Sequence, residues 1–517
     1  MTEYLLSRLH NGAARARSFL SPPLDRFDQS DELSQGLLSN SDDYGPGEHQ
    51  TRRKSCIKIA HSVSFLSVFA LLRLLVVAIT PSFISNIYYA SKPRQLHKTS
   101  FLDGLRGYAS FIVAVFHLLG IQPNNEWIEE TWGVNEQEGM GSNLLQLPFI
   151  RVLFLGVPMV TCFFLISGFV LSYRSVLLIR SGEHERLSES LVSLIFRRGF
   201  RLFLPTIAVI IFEKILVPCI YRSPPPVWTM MSDVYAQTSA AMYCWGWDNH
   251  NVSLLHLWTI PIEFCCSMLL FLVSIGVSRL RTWMRLFVVG VLIIHSNASG
   301  HWAVFLFMAG LFIAETEAFI EQRKRSQKGS KSVGEGMQWI SRLQSAFWIT
   351  IFLVGLYLAG YPIHRVESSF DFRWVYPHTP KVYLDTEGFY LPLKFWTSVS
   401  SVLVIVALFR VPTLQKAFTT PVAQYLGDVS YSVYLVHNAI QISIGADIKA
   451  KVHSWFGADN SQWKRAAILV LDIVFIMGIV IWVADIFWRF VDKPIVRFTR
   501  YLDKLCRKPG IEVTLVT

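Results

Sequence analysis

Phe101-Leu-Asp-Gly-Leu-Arg-Gly-Tyr-Ala-Ser-Phe-Ile-Val-Ala-Val-Phe-His117 reads as one apolar helix that carries two basic side chains, Arg106 and His117. They stand eleven residues apart, close to three helical turns, so both lie on one face. The rise between them is about 16 Å. In a membrane-crossing helix this puts Arg106 near one end and His117 near mid-membrane. Ionisable groups at such depth are expensive and turn towards a cavity or a partner. The plainer alternatives are a histidine satisfied by a neighbouring helix and an arginine whose long stem carries its charge back to the interface.

The rest of the chain fits lipid as solvent. Of 517 residues, 52% are hydrophobic and 16% charged, where a soluble chain carries about 25% charged; mean hydropathy is +0.37. Val152–Tyr173 has no charge and is long enough to cross a hydrocarbon core of about 30 Å. The expected fold is all-α, a polytopic integral membrane protein with about ten transmembrane helices. Their cores fall at 102–121, 152–174, 202–220, 253–275, 284–297, 301–318, 346–360, 391–409, 422–444 and 466–488.

Loop charges set the orientation. Loops 175–201, 276–285, 319–345 and 410–421 and the C-terminus share one side by alternation and hold the Lys/Arg clusters, whereas loop 122–148 carries five Glu and no Lys or Arg. The positive-inside rule then makes both termini cytosolic. The sequons at Asn251 and Asn297 fall on the opposite side, where glycosylation occurs. Residues 1–55 are polar and poor in aromatics, a disordered cytosolic tail with no signal peptide. Residues 56–99 are apolar but hold Arg73 and are flanked by basic residues at both ends, which suits an interfacial or re-entrant segment. Residues 100–500 form the membrane domain and 501–517 a cytosolic tail. The net charge of +11 is dispersed through short loops, which argues for anionic lipid and against nucleic acid. No metal-type cysteine spacing, Gly-rich nucleotide loop or Gly-x-Ser-x-Gly elbow is present.

Two further constellations carry chemistry. Glu263 is the lone charged residue of its span, a functional candidate by position; it would orient His117 or bind substrate, or else make a structural helix–helix hydrogen bond. Arg197, Arg198 and Arg201 cluster before the third span, where guanidinium forks suit phosphate oxygens, or where they merely signal topology. Ser167-Gly168 reads as a close helix contact, and His437 ends a Tyr-rich helix as a structural or substrate-lining residue.

Five motifs in order along residues 100–500 resemble the acyltransferase 3 family of membrane acyltransferases. They are the opening Leu102-Asp-Gly-Leu-Arg-Gly107 with its later His117, Phe163-Phe-Leu-Ile-Ser-Gly-Phe-Val-Leu-Ser172, Arg197-Arg-Gly-Phe-Arg-Leu-Phe-Leu-Pro205, Leu257-Trp-Thr-Ile-Pro-Ile-Glu263 and Tyr425-Leu-Gly-Asp-Val-Ser-Tyr-Ser-Val-Tyr-Leu-Val-His437. The resemblance implies transfer of an acyl group, most often acetyl, from acyl-CoA as co-substrate to a hydroxylated acceptor, with no tightly bound cofactor. It makes Arg106 and His117 the essential pair, raises Arg198 and Arg201 as CoA ligands, and adds Ser167, Trp258 and His437 as substrate-lining residues. Extensions like residues 1–99 occur in fungal members, which points to an endoplasmic-reticulum or other endomembrane location. The competing reading is a proton-coupled transporter or scramblase with Arg106, His117 and Glu263 as relay; transporters show repeated halves, and this sequence shows none.

Overall fold

A computed structural model describes residues 79–84, 95–120, 144–221, 224–244, 256–327, 335–364, 366–384, 391–456 and 462–506, with the single residues 76 and 132. The 1–55 tail, the end of the 501–517 tail, most of 56–99 and Asn251 lie outside the described residues. The described chain is helical, without a strand. Ten long helices fall on the ten expected cores: α1 (Ser100–Gly120), α2 (Gly156–Ser181), α3 (His184–Ile211), α4 (Thr259–Val277), α5 (Thr282–Ala298), α6 (Trp302–Gln327), α7 (Glu335–Ala359), α8 (Leu391–Arg410), α9 (Pro421–Ile442) and α10 (Gln462–Phe487). Among the described residues, eight helices are long and apolar enough to cross a membrane by length and composition. The other two are α5, which is apolar but short, and α9, whose inner faces are too polar to score.

Local chemistry explains the boundaries. α2 ends at Gly182, whose φ of +78° costs a glycine little, and α3 starts two residues later. α9 opens with Pro421 at its first position and Thr420 as cap, the Thr420 hydroxyl accepting the Ala423 N–H at 3.2 Å, a favoured helix start. α3 runs on through a π-helical turn at Phe212–Leu216, and α10 through another at Trp488–Asp492.

The helices pack as pairs: α9 along α1, α6 along α2, α7 along α8 and α10 along α9. Two of these seams depend on missing side chains. A Cβ on Gly107 would lie 2.4 Å from the Gly427 nitrogen, and one on Gly427 would lie 2.5 Å from the Asp103 carbonyl oxygen. Across the α2–α6 seam, a Cβ on Gly168 would lie 2.6 Å from the Phe307 carbonyl oxygen and one on Gly310 2.5 Å from the Phe169 nitrogen. Gly168 is therefore a contact residue between backbones.

Of segment 56–99, the described part includes Ser82, whose N–H and hydroxyl both donate to the fully buried Asp485 carboxylate, at 3.0 and 2.5 Å. Arg489 pairs with the same carboxylate at 2.9 Å.

Adding one methyl at Gly427 should force the α1–α9 seam apart. Gly427→Ala should destabilise by about 1–3 kcal/mol, read as a lower thermal unfolding midpoint in detergent. Gly478→Ala on α10, where nothing lies within 4 Å of the new Cβ, should instead be neutral or raise it. Equal behaviour of the two variants would show that the seam tolerates separation.

Candidate active site

α1 places its two basic residues against a single partner helix. Arg106 donates from Nε to Ser430 Oγ at 3.0 Å and from Nη2 to the Gly427 carbonyl at 3.2 Å, and pairs with Asp103 at 3.3 Å. At the other end, the His117 ring lies 5.2 Å from the His437 ring, tilted by 30°. The three-turn spacing on one face therefore meets α9 twice. His117 falls in the last turn of α1, nearer the far end of the helix than its middle.

α3 and α4 carry the next layer. Arg198 donates from Nη2 to Glu263 Oε1 at 2.6 Å and from Nε to Ser267 Oγ at 3.1 Å, while Ser167 Oγ on α2 donates to the same Glu263 oxygen at 3.0 Å. Glu263 is thus held by an arginine and a serine at the arginine end, and no contact joins it to His117 among the described residues. Arg201 lies within electrostatic reach of Arg106, Arg198, Tyr431 and Asp492. Its side chain is exposed. Arg197 diverges: its Nε faces the Ser193 carbonyl at 3.3 Å and Asp503 at 3.8 Å. The three arginines read as one cluster therefore split, with Arg198 and Arg201 inward and Arg197 towards the C-terminal helix Lys493–Cys506.

The histidine end contains residues that sequence reasoning missed. His256 is buried, its ring 4.6 Å from that of His437, and the Tyr434 hydroxyl bonds both the His256 carbonyl and Thr259 Oγ1. His117, His437 and His256 thus form one group, which is not arranged as a metal-ligand set among the described residues. Trp258, two residues on, is half-buried, and the buried Lys394 of α8 holds its ammonium 5.3 Å from the Trp258 ring and 5.4 Å from the Trp302 ring, a cation–π arrangement. Lys394 is the one charge inside its span before Arg410, so the rule that singled out Glu263 applies to it equally. Asp492 sits in the π turn that ends α10, a local geometry common at functional sites and invisible in sequence. Asn297 stands in the last turn of α5 and accepts a hydrogen bond from Tyr383 at 3.1 Å.

Residues 99–489 match the acyltransferase domain of the acyltransferase 3 family. This chain belongs to that family. It is similar to the O-acetyltransferase PaAT-1 of Phomopsis amygdali, 27% identical over 454 residues covering 81% of this chain and 87% of the relative. It is also similar to acyltransferase clz18 of Cochliobolus lunatus, at 26% over 81% of this chain and 98% of the relative, and to acyltransferase R4 of a Phoma species, at 24% over the same shares. No solved structure matches. The protein is a membrane-bound acyltransferase, and the clusters on α1, α3, α4 and α9 belong to the domain that defines it. An acyltransferase needs an acyl donor and a hydroxylated acceptor, and this one has an arginine-rich end and a histidine-rich end on one helix seam.

The Arg198–Glu263 pair has little accessible surface, 11% and 21% of the two side chains. Removing one partner of such a pair leaves an uncompensated charge, at a cost of about 3–5 kcal/mol. Glu263→Ala should lower the unfolding midpoint by more than the Glu263→Ala, Arg198→Ala double variant does relative to Arg198→Ala alone. A coupling energy above about 1 kcal/mol in the double-mutant cycle is expected; additive effects would mean that Glu263 works independently of Arg198.

Proposed function

We propose that this acyltransferase moves an acyl group, acetyl in the first instance, from acyl-CoA to a hydroxyl of a small-molecule, lipid or carbohydrate acceptor. The observation that carries the reading is the α1–α9 seam, with Arg106 at one end, close to Arg201 of α3, and the half-buried His117 at the other. The name of the O-acetyltransferase relative supports the acetyl group and the oxygen acceptor.

Arg106, Arg198 and Arg201 would receive the CoA phosphates, whose oxygens suit guanidinium donors. The pantetheine arm would then follow the seam for about 16 Å, the rise from Arg106 to His117, and bring the thioester to the imidazole. His117 takes the proton from the acceptor hydroxyl as its oxygen bonds to the thioester carbon. The carbon–sulfur bond breaks, and the CoA thiolate takes the proton back from the imidazolium and leaves as the thiol. Glu263 acts one step removed, by fixing the Arg198 fork.

Positive-inside logic supports cytosolic termini in an endomembrane, with acyl-CoA entering from the cytosolic side. Basic residues at these helix ends pair with one helix, α6: Arg180 and Arg285 at Glu315, Arg410 at Glu317, and Lys98 at Glu321. Of the two sequons, Asn251 is the one to test for glycan, because the Asn297 amide is engaged by Tyr383.

Purified protein with acetyl-CoA and a panel of hydroxylated acceptors should release free CoA only when an acceptor is present. His117→Ala should lower kcat by about 10²–10⁴ without loss of folded protein; a variant retaining more than half the wild-type rate would remove the base role. Arg198→Ala or Arg201→Ala should raise KM for acyl-CoA about ten- to a hundredfold and leave acceptor KM nearly unchanged. Unaltered acyl-CoA affinity at low salt in both variants would move the CoA site elsewhere.

A further inference from the structure

The histidine end carries buried polar atoms whose hydrogen-bonding sense is fixed. His437 is 0% exposed, and its Nδ1 faces the Val433 carbonyl at 3.2 Å. A carbonyl only accepts, so Nδ1 holds the proton and Nε2 is left with a lone pair. His256 is 2% exposed, and its Nε2 faces the Leu435 carbonyl at 3.1 Å; by the same logic its Nδ1 has the lone pair. Gln441 is 1% exposed, and its amide nitrogen donates to the Ala114 carbonyl at 2.7 Å, which fixes its Oε1 as an acceptor. None of these three acceptors, His437 Nε2, His256 Nδ1 and Gln441 Oε1, has a donor among the described residues. Neighbouring Asn438, 6% exposed, has the complementary deficit: its Nδ2 donor is unmatched.

Buried polar atoms are nearly always paired, and an unpaired one costs about 1–3 kcal/mol. His437 and Gln441 are one turn apart on α9, and they face His117, the proposed base, and Ala114, just before it on α1. The surplus of lone pairs beside His117 calls for a ligand rich in O–H donors.

We propose that the acceptor is a polyol, at minimum a vicinal diol. One hydroxyl gives its proton to His117, and the adjacent hydroxyl shares its single proton, in a three-centre bond, between the lone pairs of His437 and Gln441, while further hydroxyls of the polyol serve His256. This rests on the acyltransferase reading above and adds to it a requirement on the substrate. His437 and Gln441 are positioning residues for the second hydroxyl, not groups that handle the transferred proton. A site built to bond a hydroxyl discriminates strongly against the analogue that lacks it, because its own buried groups are then left unpaired.

The test uses full-length protein, acetyl-CoA and matched acceptor pairs: vicinal diols such as trans-cyclohexane-1,2-diol and sugar or polyketide polyols, each against its monodeoxy and mono-O-methyl analogue. Wild-type kcat/KM should fall at least tenfold when the second hydroxyl is removed or methylated. In His437→Leu and in Gln441→Leu the diol should lose most of that advantage, with acceptor KM rising and acyl-CoA KM unchanged, and His437→Gln, which restores an acceptor oxygen, should recover part of it. Equal turnover of a monohydric alcohol and its parent diol by wild type overturns the inference, as does full discrimination in both leucine variants. Absence of CoA release with every diol and monol alike is a different failure: it removes the acyltransferase reading on which the inference stands.

Discussion

Everything in the site is set by the distance between the α1 and α9 backbones, and that distance is set by glycine. Gly107 and Gly427 leave room for the two helices to touch main chain to main chain, and Gly104 admits the turn that precedes α9, where a Cβ would overlap the Phe418 carbonyl oxygen. In lipid there is little hydrophobic force to hold two helices together, so close backbone approach and interhelical hydrogen bonds do the work. The bonds run the length of the seam: Gln424 to the Ser100 carbonyl, Arg106 to Ser430 and the Gly427 carbonyl, and Gln441 to the Ala114 carbonyl. Partners differ in number by 321 to 327, a nearly constant offset, so the two helices lie parallel and in register. This register brings His437 to His117 and Ser430 to Arg106. A side chain large enough to push the helices apart would loosen both ends of the site at once.

Charge is treated differently at the rim and in the interior. Around the basic loop ends, guanidinium groups close directly on carboxylates, Arg285 on Glu315 at 2.7 Å and Arg410 on Glu317 at 2.7 Å. Such pairs fix helix ends and leave no charge to spare for a ligand. Arg198 is also paired, with Glu263, but Ser167 and Ser267 complete the shell, so its fork is oriented rather than merely neutralised. Arg201 differs again. Its side chain is exposed and lies within electrostatic reach of Arg106 and Arg198, with Asp492 close enough to temper three like charges. The π turn at Trp488–Asp492 matters here because it alters the helical phase at the point where α10 passes α3.

Much of this was legible in the sequence. Apolar length located the ten helices, and the rule that an ionisable group within a span turns towards a partner singled out Arg106, His117 and Glu263. Boundaries were harder. α2 reaches Ser181 and α6 reaches Gln327, well past their apolar cores, because helices continue as polar helices after they leave the hydrocarbon. α9 shows the opposite problem: Gln424, Ser430, His437, Asn438 and Gln441 are all buried, so its polarity is internal to the bundle and weakens the hydropathy signal. Pairing across helices was not legible at all. Glu263 looked like a partner for His117, and only the packing of α3 on α4 assigns it to Arg198. Lys394 satisfied the lone-charge rule and was passed over. His256, beside the noted Trp258, carried no periodic signal of its own.

The two ends of the seam are opposite in hydrogen-bonding character, and that contrast is the deepest consequence of the architecture. The arginine end offers N–H donors and positive charge. The histidine end offers lone pairs fixed by backbone carbonyls, and its cations are neighbours of aromatic rings rather than of open space. A polyanion would leave the lone pairs at the histidine end unmatched and face repulsion from them. A neutral hydroxylated molecule brings no charge for the guanidinium groups to pair with. In the proposed reaction the two substrates must meet in one membrane cavity without exchanging places. A site that sorts them by donor against acceptor needs no moving part to do so, because each end is costly for the wrong guest.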